Sequence, residues 1–193
     1  MALFDSLGLM EKLALDGRLF ISADADENDR VTGQTSFANT TPTFLIDVPA
    51  GTSFIPLFVN LTQCGTVAGG DVSIRIAIDD RTRYASGGTA ETVYNPSKRF
   101  KRTNKCTLYS GATATAPAID PYGIRLFSAV VGADVSPAEG AVQGPYWVPE
   151  MPYILEGPAA FLVYTDAGAT GPTWEWSFGW GSIPTDLLPS YVS

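Results

Sequence analysis

Residues 154–184 read ILEGPAAFLVYTDAGATGPTWEWSFGWGSIP, and the fold is decided by this stretch. Ala159–Tyr164 is almost continuously apolar, which is typical of a strand that is buried on both faces. After a polar, glycine-rich turn at 165–173, large aromatic residues alternate with small or polar ones. A period of two places alternate side chains on one face of a strand. These aromatic residues are Trp174, Trp176, Phe178 and Trp180. The stretch therefore predicts a long β-hairpin that closes the fold, with three tryptophans on its inner face.

The tryptophan stripe admits a second interpretation. Exposed aromatic rings at strand spacing serve as sugar-stacking platforms in carbohydrate-binding modules, and Trp174, Trp176 and Trp180 have this spacing. Aromatic residues that alternate along a strand more commonly belong to a core, because each ring removes a large apolar area from water. We expect a core stripe, and burial of the three rings separates the two interpretations.

The rest of the chain repeats the strand signal. Val72, Ile74, Ile76 and Ile78 alternate with the smaller or polar residues Ser73, Arg75 and Ala77. Further apolar runs are separated by turns rich in the 19 glycines and 14 prolines, and they lie at 40–48, 53–63, 105–109 and 122–131. Pro56 interrupts one of these runs, which indicates a sheet edge or a bulge. The pattern predicts an all-β, single-domain, jelly-roll-like antiparallel β-sandwich of about eight strands.

The two ends of the chain carry apolar residues that a free tail would not need. Residues 1–22 are predicted to form a short amphipathic helical segment that either covers one end of the sandwich or acts as an arm on a neighbouring subunit. The sandwich and a docked tail fill residues 23–193. The candidate contact residues at the two ends are Leu3, Phe4, Leu7, Leu187, Leu188 and Tyr191.

Positive charge is concentrated in one polar stretch. Five of the twelve basic residues flank Phe100, and they are Lys98, Arg99, Lys101, Arg102 and Lys105. Basic residues beside an aromatic ring can hold phosphate and stack a base, but a net charge of −8 disfavours nucleic acid as a partner. A solvated basic loop and a loop that meets an acidic partner surface remain the two interpretations. We take Lys98, Arg99, Phe100, Lys101 and Arg102 as candidate partner-binding residues.

The amino-acid composition excludes several kinds of catalytic and metal-binding site. Without a histidine, the chain cannot form His–metal sites, Ser-His-Asp triads or Cys-His pairs. Cys64 and Cys106 are too few for a disulfide scaffold, and we expect two buried free thiols rather than one disulfide. No glycine-rich phosphate loop is present, and the acidic run 24–30 lacks the glycine and distal glutamate of a calcium loop. We expect no cofactor and no metal.

Paired carboxylates are the remaining route to catalysis. A two-acid glycosidase would need two of four scattered glutamates to meet, and no spacing marks a pair among Glu91, Glu150, Glu156 and Glu175. We therefore expect a non-enzymatic protein. Because the first residues include acids and no basic leader, and no long apolar run follows, we expect neither a signal peptide nor a membrane span. The chain is then expected to be made in a cytoplasm.

Two segments resemble virion proteins. The order Ile154–Pro158, apolar strand, turn at 168–173, tryptophan-rich strand and Ile183-Pro184 resembles small β-sandwich virion proteins of tailed bacteriophages. The turn Asp47–Thr52, which leads into a long apolar strand, is similar in style to viral jelly rolls. The resemblance covers about the last third of the chain plus this turn.

This resemblance implies a structural role and no catalytic residues. We expect a capsid decoration (cement) protein of the virion, made in the host cytoplasm, that binds itself as a homo-oligomer such as a trimer. Its other partners would be the major capsid protein or other virion proteins, and no membrane. The alternative is a glycan- or host-receptor-binding module of a virion. The absence of fibre-like repeats argues against a tail fibre.

Overall fold

The computed structural model describes residues 8–24, 30–64, 71–115, 124–132, 142–168 and 171–192. Within these residues the helical elements are short: α1 spans Leu9–Leu15, a 3₁₀ turn spans Thr185–Leu187 and α2 spans Pro189–Val192. None of the described helices is long and apolar enough to cross a membrane. The predicted N-terminal residues Leu3, Phe4 and Leu7 lie outside the described residues, as does most of the acidic run 24–30.

Strands make up most of the described chain. In chain order they are β1 (Leu19–Ala23), β2 (Val31–Thr32), β3 (Phe44–Val48), β4 (Thr52–Gln63), β5 (Asp71–Asp79), β6 (Tyr84–Ser86), β7 (Thr89–Ala90), β8 (Thr107–Ser110), β9 (Thr113–Ala114), β10 (Ile124–Gly132), β11 (Val142–Trp147), β12 (Leu155–Glu156), β13 (Ala159–Ala167) and β14 (Thr173–Pro184).

Two antiparallel sheets form a jelly roll. Sheet 1 has the order β1-β14-β4-β11, with β12 paired to β4 and β2 paired to β14. Sheet 2 has the order β10-β5-β13-β3-β8-β7. We number the strands of five or more residues by their order along the chain: β1, β3, β4, β5, β10, β11, β13 and β14. Sheet 1 then reads first-eighth-third-sixth, and sheet 2 contains fifth-fourth-seventh-second. This is the strand order of an eight-stranded jelly roll, so the predicted fold class is confirmed.

The core lies between the two sheets, and the tryptophan stripe forms much of it. Trp174 and Trp180 are fully buried, and Trp176 is 4% exposed. Aromatic rings meet across the gap between sheets: the centroids of Phe44 and Trp176 are 5.2 Å apart, and those of Phe54 and Phe161 are 5.6 Å apart. The core interpretation of the stripe is confirmed, and the exposed sugar-stacking platform is excluded.

The predicted hairpin is wrong, because β13 and β14 lie in different sheets. β13 is flanked on its two edges by β3 and β5, whereas β14 is flanked by β1 and β4. The physical reason is burial. β13 is apolar on both faces, and its Phe161 and Val163 join the central core while Leu162 packs outward. The aromatic face of β14 lies opposite β13 across the core, where it is buried against a second apolar surface. Pairing of the two strands side by side in one sheet would not bury it in this way.

Pro56 lies at a bulge, as one of its two interpretations predicted. The register of β14 against β4 shifts here, since Gly179 pairs with Phe58 and Trp180 pairs with Pro56. On the other edge of β4, β12 pairs only with 53–54 and β11 with 59–63. Pro56 therefore lies at an irregularity of the β14–β4 ladder, where a residue without an N–H is tolerated.

The outer faces of both sheets are covered by the chain itself. The outer face of sheet 1 packs under α1 and the tail through Leu13, Ile55, Ile183 and Tyr191. The outer face of sheet 2 packs under the paired strands β6 and β9 and Phe37. The predicted docking of the C-terminal tail on the domain is confirmed.

A long insertion joins the fourth and fifth strands of the jelly roll. It supplies β6, β7, β8 and β9, and β8 extends sheet 2 by pairing with β3. Between β7 and β8 it crosses to sheet 1, where Tyr94 forms a bridge with Ile21 of β1. The insertion therefore closes the sandwich along the β1 edge, and the basic residues predicted as partner-binding lie within it.

Candidate functional site

The basic loop, residues 95–105, is fixed to the corner between α1 and β1. The side-chain Nδ2 of Asn95 donates hydrogen bonds to the carbonyl oxygens of Gly17, at 2.7 Å, and of Arg102, at 3.0 Å. The backbone N–H of Arg102 donates to the same Gly17 oxygen at 3.3 Å. The Asn95 side-chain oxygen in turn accepts from the N–H of Ser97. The loop is thus held at both ends, and its central residues are presented to solvent.

A glycine is required at this corner. Gly17 has φ +67°, in the left-handed region, and a Cβ added to it would lie 1.4 Å from the carbonyl oxygen of Phe100. Only glycine allows the loop backbone to approach so closely.

Asp16 connects the basic loop to the C-terminal tail. Its carboxylate accepts a hydrogen bond from Arg102 Nη2 at 2.7 Å, another from Arg18 Nε and a third from the Tyr191 hydroxyl. Burial raises the pKa of Asp16, but the hydrogen bonds from Tyr191, Arg102 and Arg18 outweigh burial and hold the pKa below its ordinary value. Burial and the Asp16 hydrogen bond raise the pKa of Tyr191. The structure therefore places Arg102 in an intrachain ion pair.

The remaining cations of the loop point to solvent. Lys98, Arg99, Lys101 and Lys105 are exposed, and within the described part of the chain none of them forms an ion pair. Phe100 is 49% exposed, and the Arg99 guanidinium lies 5.4 Å from the centre of its ring. The loop thus presents an aromatic side chain surrounded by unpaired positive charge.

The opposite edge of the sandwich exposes apolar side chains. Among the described residues, β10 and β11 are the edge strands of sheets 2 and 1 at this side, and each has one partner strand. Along them and in the segment after β11, the exposed large apolar residues are Ile124, Val130, Tyr146, Val148, Met151 and Ile154.

This exposed apolar edge was not predicted from the sequence. The signal was present in the prolines at 145, 149 and 152, which prevent regular pairing and so leave the neighbouring apolar residues outside a central strand.

The tail residues predicted to bind a partner differ in their exposure to solvent. Leu187 is exposed, whereas Leu188 packs against the cluster under α1 and Tyr191 is 9% exposed. The backbone carbonyl of Tyr191 also accepts a hydrogen bond from Lys12 Nζ at 3.2 Å. Leu188 and Tyr191 therefore contribute to the packing of their own domain.

A polar cavity of about 510 Å³ opens where β1 and β2 approach β7. Asp24, Arg30 and Glu91 supply charged groups, and the Ser110 hydroxyl donates a hydrogen bond to Glu91. Arg30 Nη2 lies 3.3 Å from Glu175 Oε1. Threonine hydroxyls complete the polar lining, and they belong to Thr32, Thr89 and Thr92. The volume is in the range of small-ligand sites.

The four glutamates considered as glycosidase candidates fall into two regions: Glu91 and Glu175 lie at or next to the cavity, and Glu150 and Glu156 lie on the segment after β11. Glu91 lines the cavity, Glu175 pairs with Arg30, and Glu150 and Glu156 are exposed on the segment after β11. Among the described residues no group of three acidic, cysteine or histidine side chains is positioned to hold a metal ion.

Both cysteines are free thiols in the structure, as predicted, and both are buried. Burial raises the pKa of the Cys106 thiol to about 12. Such a thiol stays protonated at neutral pH and is a poor nucleophile.

The fold and the exposed features together define a jelly-roll domain with two unlike lateral surfaces, one basic and aromatic, the other apolar. No protein-family model matches this chain, and neither a curated protein sequence nor a solved structure matches it significantly.

Proposed function

We propose that this protein is a non-enzymatic structural component of a tailed-phage virion: an oligomeric capsid decoration (cement) protein that binds the head surface. The observation that carries the proposal is the exposed apolar strip along β10 and β11 of a jelly-roll sandwich. Viral capsid domains are among the principal users of this fold. Because a fold alone does not specify a function, the argument rests on the surfaces.

The apolar strip supports self-association. Unpaired edge strands with exposed apolar side chains readily pair with another chain, and soluble proteins normally protect such edges. Here the outer faces of both sheets are covered by the chain's own helices and insertion, while this edge exposes Met151 at 59% and Tyr146 at 60%. Exposed apolar residues grouped along one edge are a feature of protein–protein contact sites.

The charge distribution supports binding to a large charged lattice. The chain has a net charge of −8, yet Lys98, Arg99 and Lys101 form one exposed basic surface. Complementary charge orients a protein as it approaches a partner and suppresses wrong orientations. We therefore propose the major capsid protein as the second partner, contacted through the acidic remainder of the surface, while the basic surface is left for a second copy of the chain.

The test is binding to heads. The purified chain is mixed with empty phage heads that lack it, sedimented, and quantified, while light scattering gives its mass in solution. We expect a stable oligomer that cosediments with heads at a fixed stoichiometry. A chain that stays in the supernatant at all concentrations contradicts the proposal.

A second function is supported by the polar cavity. Carboxylates, a guanidinium and hydroxyls around about 510 Å³ match the hydrogen-bonding needs of a saccharide, so the cavity supports a glycan- or host-receptor-binding module. A glycan array with the native chain and with Asp24→Asn/Glu91→Gln tests it. We expect saccharide binding to fall at least about tenfold in the variant if the cavity is the site. Equal binding by both proteins, or none by either, rejects this second function.

A further inference from the structure

We propose that copies of this chain join head to tail in a closed ring, with the basic loop of one copy on the segment 148–156 of the next. The proposal rests on the oligomeric function proposed above and specifies its interface. The observation that carries it is the presence of two surfaces of opposite charge on opposite edges of sheet 1.

The charges of the loop and of the remaining chain are strongly unequal. The basic loop contains five basic residues and no acidic one, whereas the rest of the chain contains seven basic and twenty acidic residues. The loop thus carries +5 and the remainder −13 before internal pairing. One loop cation, Arg102, is paired with Asp16 of its own chain. The four others are exposed and attract an acidic surface of a second copy.

The segment 148–156 offers the complementary surface. Glu150 and Glu156 are exposed, and neither forms an ion pair with any described residue. Val148 and Met151 are exposed beside them. Phe100 is the matching apolar group of the basic loop. Both surfaces therefore combine exposed apolar area with unpaired charge, and the signs of the charges are opposite.

The two surfaces lie at the same end of sheet 1. The basic loop is held by Gly17, just before β1 begins at Leu19, which pairs with Gly181 near the end of β14. Glu156 pairs with Ser53 at the beginning of β4, and Ser53 also pairs with Ile183 of β14.

The two surfaces also lie on opposite edges. Sheet 1 has the order β1-β14-β4-β11, so three strand spacings, roughly 14 Å, separate the edge strands. Side-by-side copies related by an axis roughly along the strands would bring the two surfaces together at one level.

Electrostatics disfavours a two-fold dimer in which the basic loop meets its own copy. Such a contact would place two loops, each with four cations that form no ion pair with any described residue, against each other, and like charges in contact are unfavourable. A heterologous contact joins unlike surfaces and leaves one of each free until the ring closes, which requires three or more copies.

The test uses charge reversal on each side and on both together. The variants are Lys98→Glu/Lys101→Glu, Glu150→Lys/Glu156→Lys and the fourfold combination, with Arg81→Glu as the control for reversal of an exposed cation outside both surfaces. Mass by light scattering and sedimentation is measured from low to high salt. We expect each double reversal to weaken assembly at least about tenfold, and the fourfold variant to assemble again because opposite charges face each other once more. High salt should weaken the native assembly.

Four outcomes would contradict the proposed ring. The native chain could be a monomer or a dimer in solution, the double-reversal variants could assemble like the native chain, or the fourfold variant could remain monomeric. Circular dichroism and thermal unfolding verify that the exposed substitutions leave the domain folded. Because assembly is measured without heads, its failure is distinct from failure of the proposed function. A monomer that cosediments with heads would reject the ring and self-association but leave head binding intact, whereas a ring that ignores heads would reject the decoration role alone.

Discussion

Asp16 shows how much one side chain contributes to this architecture. Its carboxylate joins three segments that are distant in sequence: the end of α1, the basic loop through Arg102 and the tail through Tyr191. The side chain is 21% exposed, so its hydrogen bonds are largely shielded from water. Partly buried carboxylates with several charge-assisted hydrogen bonds are among the stronger polar contacts in proteins.

We predict that Asp16→Asn lowers the free energy of unfolding at pH 7 by about 1–3 kcal/mol, because Arg18 and Arg102 lose their counter-charge. The sign of the pH effect follows from the lowered pKa of Asp16. Its stabilisation is present above its ordinary pKa of 3.8 and is lost as pH falls through the still lower folded value.

Urea unfolding between pH 2.5 and 7 measures this effect. The difference in free energy of unfolding between the native chain and Asp16→Asn should shrink as the pH falls to 2.5. Asp80→Asn, at a side chain that is 92% exposed, should change the free energy of unfolding little. A constant gap across this pH range would show that the carboxylate charge is not what stabilises the corner.

At the scale of elements, segments that are distant in sequence are held together where their backbones come so close that only a small residue fits between them. Gly17 is the clearest case, because the Phe100 carbonyl occupies the space of any side chain there. The basic loop has no regular secondary structure of its own, so its position depends on this corner.

We predict that Gly17→Ala destabilises the domain by about 2 kcal/mol or more and releases the basic loop. Limited trypsin digestion should then cleave faster after Lys98, Arg99 and Lys101. Gly111→Ala is the matched control: its φ is +63° and a Cβ there would meet nothing within 4 Å, so it tests backbone strain alone. Equal digestion of the two variants would contradict the role of the close approach.

At the scale of the molecule, α1 and the tail belong to the same folding unit as the sandwich. Leu13 is fully buried against Ile55, Ile183 and Tyr191, and so connects the N-terminal helix to both β4 and β14. The division of the chain into a segment 1–22 and a sandwich 23–193 stays a prediction for the whole chain.

We predict that Leu13→Ala lowers the free energy of unfolding of the whole domain by about 2–4 kcal/mol, as expected for a deleted buried leucine. Tryptophan fluorescence and circular dichroism should report one shared transition that shifts to lower temperature. Leu15→Ala, at a side chain that is 50% exposed, should have little effect. A variant that loses only helical signal while the tryptophan transition stays unchanged would show that α1 melts independently.

Several features of the fold could be predicted from local sequence. Alternation in Val72–Ile78 and in the tryptophan stripe identified core faces, and Pro56 indicated a sheet edge or a bulge, of which the structure has the bulge. These features depend on side-chain periodicity and on a missing N–H, which are properties of a segment and its neighbours along the chain. The concentration of positive charge in the basic loop could also be predicted, because it follows from counting lysines and arginines along the sequence.

The sequence by itself determined several strands, among them β5, β13 and β14, which faces are apolar and where positive charge is concentrated, but it did not predict β1 or β11. Only the tertiary structure shows that β13 and β14 face each other across the core and that Arg102 forms an ion pair with Asp16. It also places Glu150 and Glu156 across sheet 1 from the basic loop. Period-two patterning is the same for strands that pair within a sheet and strands that pack between sheets. Which contact forms depends on the burial of the whole chain, and no local pattern contains that information.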